Sequence, residues 1–395
     1  MFGMNNKDNE TIKQYLRIIL TVIFFASITI NDVFANEEVN SLIVQTKESH
    51  LRARVDRILL KKGCRNSKRV SGKVYIVPQG PDLKAQIEEL RKTGLFETIE
   101  PNYKLTLDKV TKSAKVNSSS QYYLNEISFT DALNTSKLNE VKVAVLDSGV
   151  DANHPGLVGK VEGREGLEYI DLKDNIGHGT QVAGIITANA NNKKGITGIA
   201  QNVQILSINV ADEYGQSDIG TIVQALDEAY TNGAKIIQIS LSTAEYSKIL
   251  ETVIKDAQDK GLLIVASSGN SEKEQVRYPA GFNGVIGVGA VNQNKMIESY
   301  STRGEHISLV APGTEIYTTS VNKSHYKAVT GTSFATPQVS AVAALVWGVN
   351  PELTNSEIKE ILINSAVDLG KEGKDSEYGY GLLNAKQALE LAVTK

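Results

Sequence analysis

Three short segments hold, in chain order, an aspartate, a histidine and a serine: VAVLDSGVD with Asp147, GHGTQVAG with His178 and GTSFATPQV with Ser333. A serine hydroxyl is a weak nucleophile at neutral pH. It needs an imidazole to take its proton and a carboxylate to orient that imidazole and stabilise its cation. Of five histidines, His178 alone has glycine on both sides, which lets its ring and a neighbouring backbone approach closely. It also opens an apolar helical pattern, which places it at a helix start. Ser333 precedes FATPQVSAVAALV and falls at a second helix start, where the dipole favours developing negative charge. Pro337 is expected in the first turn of that helix, where its missing N–H matters little. Singly, each of the three residues reads as a turn or cap residue. Together they read as acid, base and nucleophile.

The elements that must position them follow from periodicity. From about residue 140 the apolar runs VKVAVLD, VQILSINVA, AKIIQISLS and LLIVAS alternate with the helical patterns HGTQVAGIITANA, SDIGTIVQALDEAYTNG and YSKILETVIKDAQDKG. Such runs suit parallel strands buried on both faces, so the fold class is α/β, a doubly wound parallel sheet with helices on both faces. Functional groups then belong at the carboxyl ends of the strands, where Asp147 and Asn270 both lie. The chain ends in helical patterns. Residues 41 to 107 read strand, helix, strand, helix, strand, a small α+β sandwich of ferredoxin-like type. Residues 109 to 121, polar and serine-rich, read as an exposed linker open to nicking.

On these segments the chain resembles the subtilisin-like serine proteases, or subtilases, from about residue 120 to 390, and FETIEPNYKL resembles the last strand of a subtilase inhibitory propeptide. The resemblance implies a catalytic domain over 122–395, a propeptide over 36–108 and a processing linker over 109–121. It makes Asp147, His178 and Ser333 the catalytic residues. Asn270, in SSGN, becomes the side-chain oxyanion donor beside the backbone N–H of Ser333. Substrate is expected as an added extended strand between Ser240, Leu241 and Ser242 on one side and Glu213, Tyr214 and Gly215 on the other.

Several positions depart from the family pattern. Ser242 stands where a glycine is usual, and its Cβ narrows the rim of the first specificity pocket. Arg277 stands where many relatives carry a small or uncharged residue at the back of that pocket. A guanidinium facing the pocket would select a carboxylate through a bidentate pair, so Glu or Asp is expected just before the scissile bond. The alternative is a surface arginine paired with Glu272 or Glu274. The loop ANANNKKGITGIA resembles the family's calcium loop, with Asn192 at a ligand-like position. Yet Lys193 and Lys194 lie inside it, and Gly156 stands where a ligating Asp is expected. A hard cation wants several oxygens and carboxylate charge, so no cofactor is expected to be required and any calcium site to be weak or absent. His154 is expected to be structural, and Gln181 replaces a common histidine.

Composition and termini set the remaining bounds. With 395 residues, 41% apolar and 22% charged, the chain can bury a full-sized core, and a net charge of -3 argues against a nucleic-acid partner. Lys7, Lys13 and Arg17 precede the apolar run IILTVIFFASITI and the small-residue site ending at Ala35, the pattern of a cleaved signal peptide over 1–35. That run is short for a bilayer, so a secreted, extracellular protein without a stable membrane anchor is expected. The single cysteine, Cys64, cannot form an intramolecular disulfide and is not expected to react. The reading is a secreted serine endopeptidase, expected as a monomer, whose partners are a peptide or protein substrate and its own propeptide. Self-processing is expected near residues 100 to 120, with Asp108 a candidate position. The organisation is similar to leader peptidases that mature lantibiotic precursors, which suggests a dedicated processing role. A general degradative subtilase and a catalytically silent binding protein are the alternatives.

Overall fold

The computed structural model describes residues 40–108, 121–129, 138–162, 173–189, 195–322 and 325–395. The expected signal peptide, nearly all of the linker and Asn192 lie outside the described residues. The described residues divide into two compact units, one of residues 40–68 and 76–102, the other of 69–75 and those from 103 onward.

The small sheet is built from β1 (Ser41–Thr46), β2 (Lys68–Ser71), β3 (Val74–Pro78) and β4 (Phe96–Pro101) in the order β2–β3–β1–β4. Two helices, α1 (Arg52–Lys61) and α2 (Leu83–Lys92), form the crossovers of the expected ferredoxin-like pattern. Val55 and Leu59 of α1 and Ile87 and Leu90 of α2 are buried, spaced to share one helical face. Asp82 caps α2 by accepting from the Ala85 N–H. Two details differ from the periodicity. β2 is an unanticipated strand, because KRVS is polar and only Val70 is buried. FETIEPNYKLTL is not one strand but two, broken at Asn102, whose N–H bonds Ser41 O; β5 (Lys104–Leu107) then joins another sheet and groups with the larger unit.

The larger unit contains α3 (Tyr122–Glu126), β6 (Val141–Asp147), β7 (Val161–Glu162), α4 (His178–Thr187), β8 (Val203–Asn209), β9 (Gln216–Asp218), α5 (Ile219–Thr231), β10 (Ile236–Ile239), β11 (Leu241–Ser242), α6 (Lys248–Asp259), β12 (Leu263–Ser267), β13 (Ile286–Val291), β14 (Ile307–Pro312), β15 (Ile316–Thr319), β16 (Tyr326–Val329), α7 (Thr332–Val349), α8 (Asn355–Asn364) and α9 (Ala385–Thr394). Seven strands form one sheet in the order β14–β13–β12–β10–β6–β8–β7, with every neighbour parallel. This is the expected doubly wound sheet. Its strands are apolar on both faces because α7 packs against β10, β12, β13 and β14 while α5 contacts β6 and β8. α7 is buried from Thr332 to Gly348, sandwiched between the sheet and α4, α8 and α9, which is why it is apolar all round rather than striped. Among the described residues no helix is long and apolar enough to cross a membrane.

Candidate active site

Asp147 ends β6 and is fully buried. His178 is the first residue of α4, reached through Gly177, whose φ of 88° is a left-handed conformation that suits glycine. Gly179 matters for a second reason: a Cβ there would clash with the Gly149 carbonyl oxygen and press on Asp147 Cβ, so glycine is what lets α4 begin against the end of β6. His178 Nδ1 then lies 2.8 Å and 2.9 Å from the two oxygens of Asp147, and the Ser148 N–H donates to Oδ1 at 2.8 Å. Burial opposes charge on His178. The charge and hydrogen bond of Asp147, helped by Asp174 and Asp108, outweigh it and hold the imidazole pKa above its ordinary value.

Asp174 is a residue the motifs did not single out. Buried, it accepts from Ser148 Oγ, Gly177 N–H, Thr180 N–H and Thr180 Oγ1 at 2.6–2.9 Å, pinning the turn before His178 to the turn after Asp147. Burial raises its pKa against these hydrogen bonds. An Asp four residues before a helix-opening histidine, in DNIGH, was its available signal.

Ser333 is the second residue of α7, and its buried Oγ makes no hydrogen bond among the described residues. The ring of the next residue, Phe334, lies 5.2 Å from the His178 ring. Pro337 lies in the second turn of α7, not the first. Without an N–H it leaves Ser333 O outside the helical ladder, and Ser240 Oγ approaches that oxygen at 3.4 Å. Asn270 is oriented by Thr332, whose N–H and Oγ1 donate to Oδ1 at 3.1 Å and 2.9 Å. Its Nδ2 is thereby aimed at the Asp108 carbonyl oxygen, 2.7 Å away.

The cleft is occupied by the chain's own β5, antiparallel between β11 and β9. Leu241 and Ser242 pair with Leu107 and Thr106; on the other side Asp218, Ser217 and Gln216 pair with Lys104, Leu105 and Thr106, and Gly215 O accepts the Leu107 N–H. Leu241, Ser242 and Gly215 of the expected edges take part in the ladder, which on the second side continues into Gln216, Ser217 and Asp218. Ser240 turns inward to Gln238, and Glu213 and Tyr214 fall at a turn tip, with the Tyr214 N–H on Asp212.

At the end of β5 the Asp108 side chain is 7% exposed. Ser242 Oγ donates to its Oδ2 at 2.7 Å, while Arg277 Nε and Nη2 donate to Ser242 Oγ at 3.1 Å and 3.0 Å. Arg277 Nη2 is 3.6 Å from Asp108 Oδ1. Arg277 forms no ion pair with Glu272 or Glu274 among the described residues. Burial pushes the Asp108 carboxyl up to about 6, with Ser242 and then Arg277 pulling the other way.

A Cβ at Gly156 would sit 3.3 Å from His154 Nδ1, Thr319 Cγ2 and the Tyr326 hydroxyl, so a larger side chain there would press on all three. His154 is tied at both nitrogens, accepting from Gly156 N–H at 3.0 Å and bonding His325 O at 2.7 Å. Among the described residues no three His, Cys, Asp or Glu side chains cluster in metal-binding geometry. With Lys193 and Lys194 in the loop and Gly156 in place of a carboxylate, we propose that a chelator leaves the melting temperature unchanged; an occupied, stabilising calcium site would instead give a fall of about 5–10 °C in EDTA by differential scanning calorimetry. Gln181 is buried on α4. Cys64 is also buried, its sulfur 3.5 Å from Gln86 Nε2.

A serine at the buried start of α7, an Asp147-paired histidine at the start of α4 and an extended strand held between β11 and β9 are the groups expected of a serine endopeptidase. Residues 139–381 match the Subtilase family, Peptidase S8, and the chain belongs to that family. It is 34% identical to the thermostable alkaline protease of Halalkalibacterium halodurans over 78% of this chain and 81% of that protein. It is 38% identical to the minor extracellular protease Epr of Bacillus subtilis over 62% of this chain, and spans 38% of that relative's length. The crystal structure of fervidolysin from Fervidobacterium pennivorans, a keratinolytic enzyme related to subtilisin, superposes with a TM-score of 0.75 and 25% identity, covering 89% of this chain and 61% of that one.

Proposed function

We propose that the cleft hydrolyses peptide bonds after acidic residues, and that the bond after Asp108 is its own first substrate. In this reading Asp147 holds the His178 Nδ1–H while the other ring nitrogen takes the proton from Ser333 Oγ. The serine attacks the carbonyl carbon of the residue before the scissile bond. The resulting oxyanion is held by Asn270 Nδ2 and the Ser333 N–H, and His178 returns the proton to the leaving amine before water repeats the sequence. The observation that carries the specificity is the buried Asp108 carboxylate on Ser242 Oγ, beside Arg277, with its carbonyl on Asn270. The departure from glycine at 242 supports the same reading: its hydroxyl relays between the guanidinium and the carboxylate.

Arg277→Ala is expected to lower kcat/KM for a Leu-Thr-Leu-Asp peptide by about 10- to 150-fold, the range for a hydrogen bond to a charged group. Leucine or aromatic preference in a peptide library, unmoved by this substitution, would sink the acidic reading. Mass spectrometry of the purified chain reads the self-cleavage position directly. Residues 1–35 would act as a signal peptide, residues 36–108 as the inhibitory propeptide, and the mature enzyme as a secreted monomer. A selective pocket favours a dedicated processing role, such as leader removal from a lantibiotic precursor. A general degradative role is the second reading, favoured by the extracellular and alkaline proteases among the relatives.

A further inference from the structure

We propose that Asp108 is too short for the pocket it occupies, and that the enzyme cleaves targets ending in glutamate faster than its own processing site. The proposal rests on the acidic-pocket reading above. Arg277 Nη2 stands 3.6 Å from Asp108 Oδ1. A charge-assisted N–H···O bond closes at about 2.7–2.9 Å, so the carboxylate falls short by about 0.8 Å. The guanidinium instead directs both Nε and Nη2 at one neutral hydroxyl, Ser242 Oγ.

A second donor waits in the same place. Ser267, at the end of β12, has a fully buried Oγ without a hydrogen bond of normal geometry, although it lies near enough to Asp108 to lower the pull of burial on that carboxyl. Burial still wins at Asp108, as expected of an anion whose donors are incompletely engaged. Glutamate adds one methylene, a reach of about 1.5 Å, which exceeds the shortfall. The added length lies beyond Cβ, so the backbone carbonyl keeps its place on Asn270. Arg277 and Ser267 would then both meet the carboxylate, with Ser267 a specificity-determining residue. Self-release need occur once per molecule, whereas cleavage of a separate target must turn over, so a slow internal site carries no penalty.

The test uses the processed enzyme and peptides Tyr-Lys-Leu-Thr-Leu-X-Lys-Val, the sequence of residues 103–110 with X varied. With X as Glu, kcat/KM is expected at least about 10-fold above Asp, the scale of one methylene in a shaped pocket, and Gln below both. Asp equal to or above Glu, with both above Leu, overturns the inference and leaves the acidic reading standing. Leu above both overturns the acidic reading itself. Ser267→Ala is expected to shrink the Glu-to-Asp ratio, and an unchanged ratio removes Ser267 from the pocket. In the full chain, Asp108→Glu is expected to speed self-processing; slower processing overturns the proposal independently of peptide binding.

Discussion

Replacing Ser333 by alanine is expected to abolish proteolysis, with a loss of about 10⁶-fold in kcat, the magnitude known for the same change in subtilisin, a member of this family. The chain should then remain uncut after Asp108, and fluorophosphonate labelling should vanish. The fold should not suffer. Ser333 Oγ is buried without a hydrogen bond among the described residues, so its removal leaves no partner stranded, and the melting temperature should hold or rise. Purified Ser333→Ala protein that still cuts itself at the same bond would remove the serine from the chemistry.

Asn270→Ala carries the next largest effect, about 10²–10³-fold in kcat, again the magnitude known for an oxyanion donor in subtilisin. Here the side chain has two tasks. Nδ2 faces the Asp108 carbonyl, and Oδ1 receives the Thr332 N–H and hydroxyl at the start of α7. Alanine removes both, so stability should fall by about 1–3 kcal/mol through the stranded Thr332 donors. Asn270→Asp separates the tasks. It keeps an acceptor at a helix N-terminus, where negative charge is favourable, but replaces the donor with an anion facing the developing oxyanion. Its melting temperature should match the parent while its kcat falls at least as far as that of the alanine variant. An Asp variant with near-parental kcat would show that Asn270 serves only the helix start.

The parallel sheet was legible from residue 141 onward because strands buried on both faces have nothing polar to interrupt them. α7 was legible as a helix for its length and its small apolar residues. The structure departs from the pattern where the local signal is weak or where geometry wins over periodicity. β2 carries one buried residue in four. The break at Asn102 joins two strands of compatible alternation, and alternation cannot say that they belong to different sheets. Pro337 sits a turn deeper than expected because Gly331, with φ 148°, sets the start of α7 at Thr332, and the proline is tolerated because Ser333 O has another donor nearby. Asp174 carries only a weak mark in sequence because a carboxylate in a polar turn is common, and its partners come from the turn after β6 and the start of α4.

Which reactive groups exist, their order, and the element end on which each sits can be read along the chain, since strand and helix starts are written in runs of a few residues. What Asp108, Ser242 and Arg277 are to one another emerges from the folded contacts alone. Ser242 meets Asp108 across 134 residues of chain, and Asn270 meets it across 162. Contacts of that separation leave no periodic trace, because they are made by the closure of β5 between two loops and not by any neighbour in sequence.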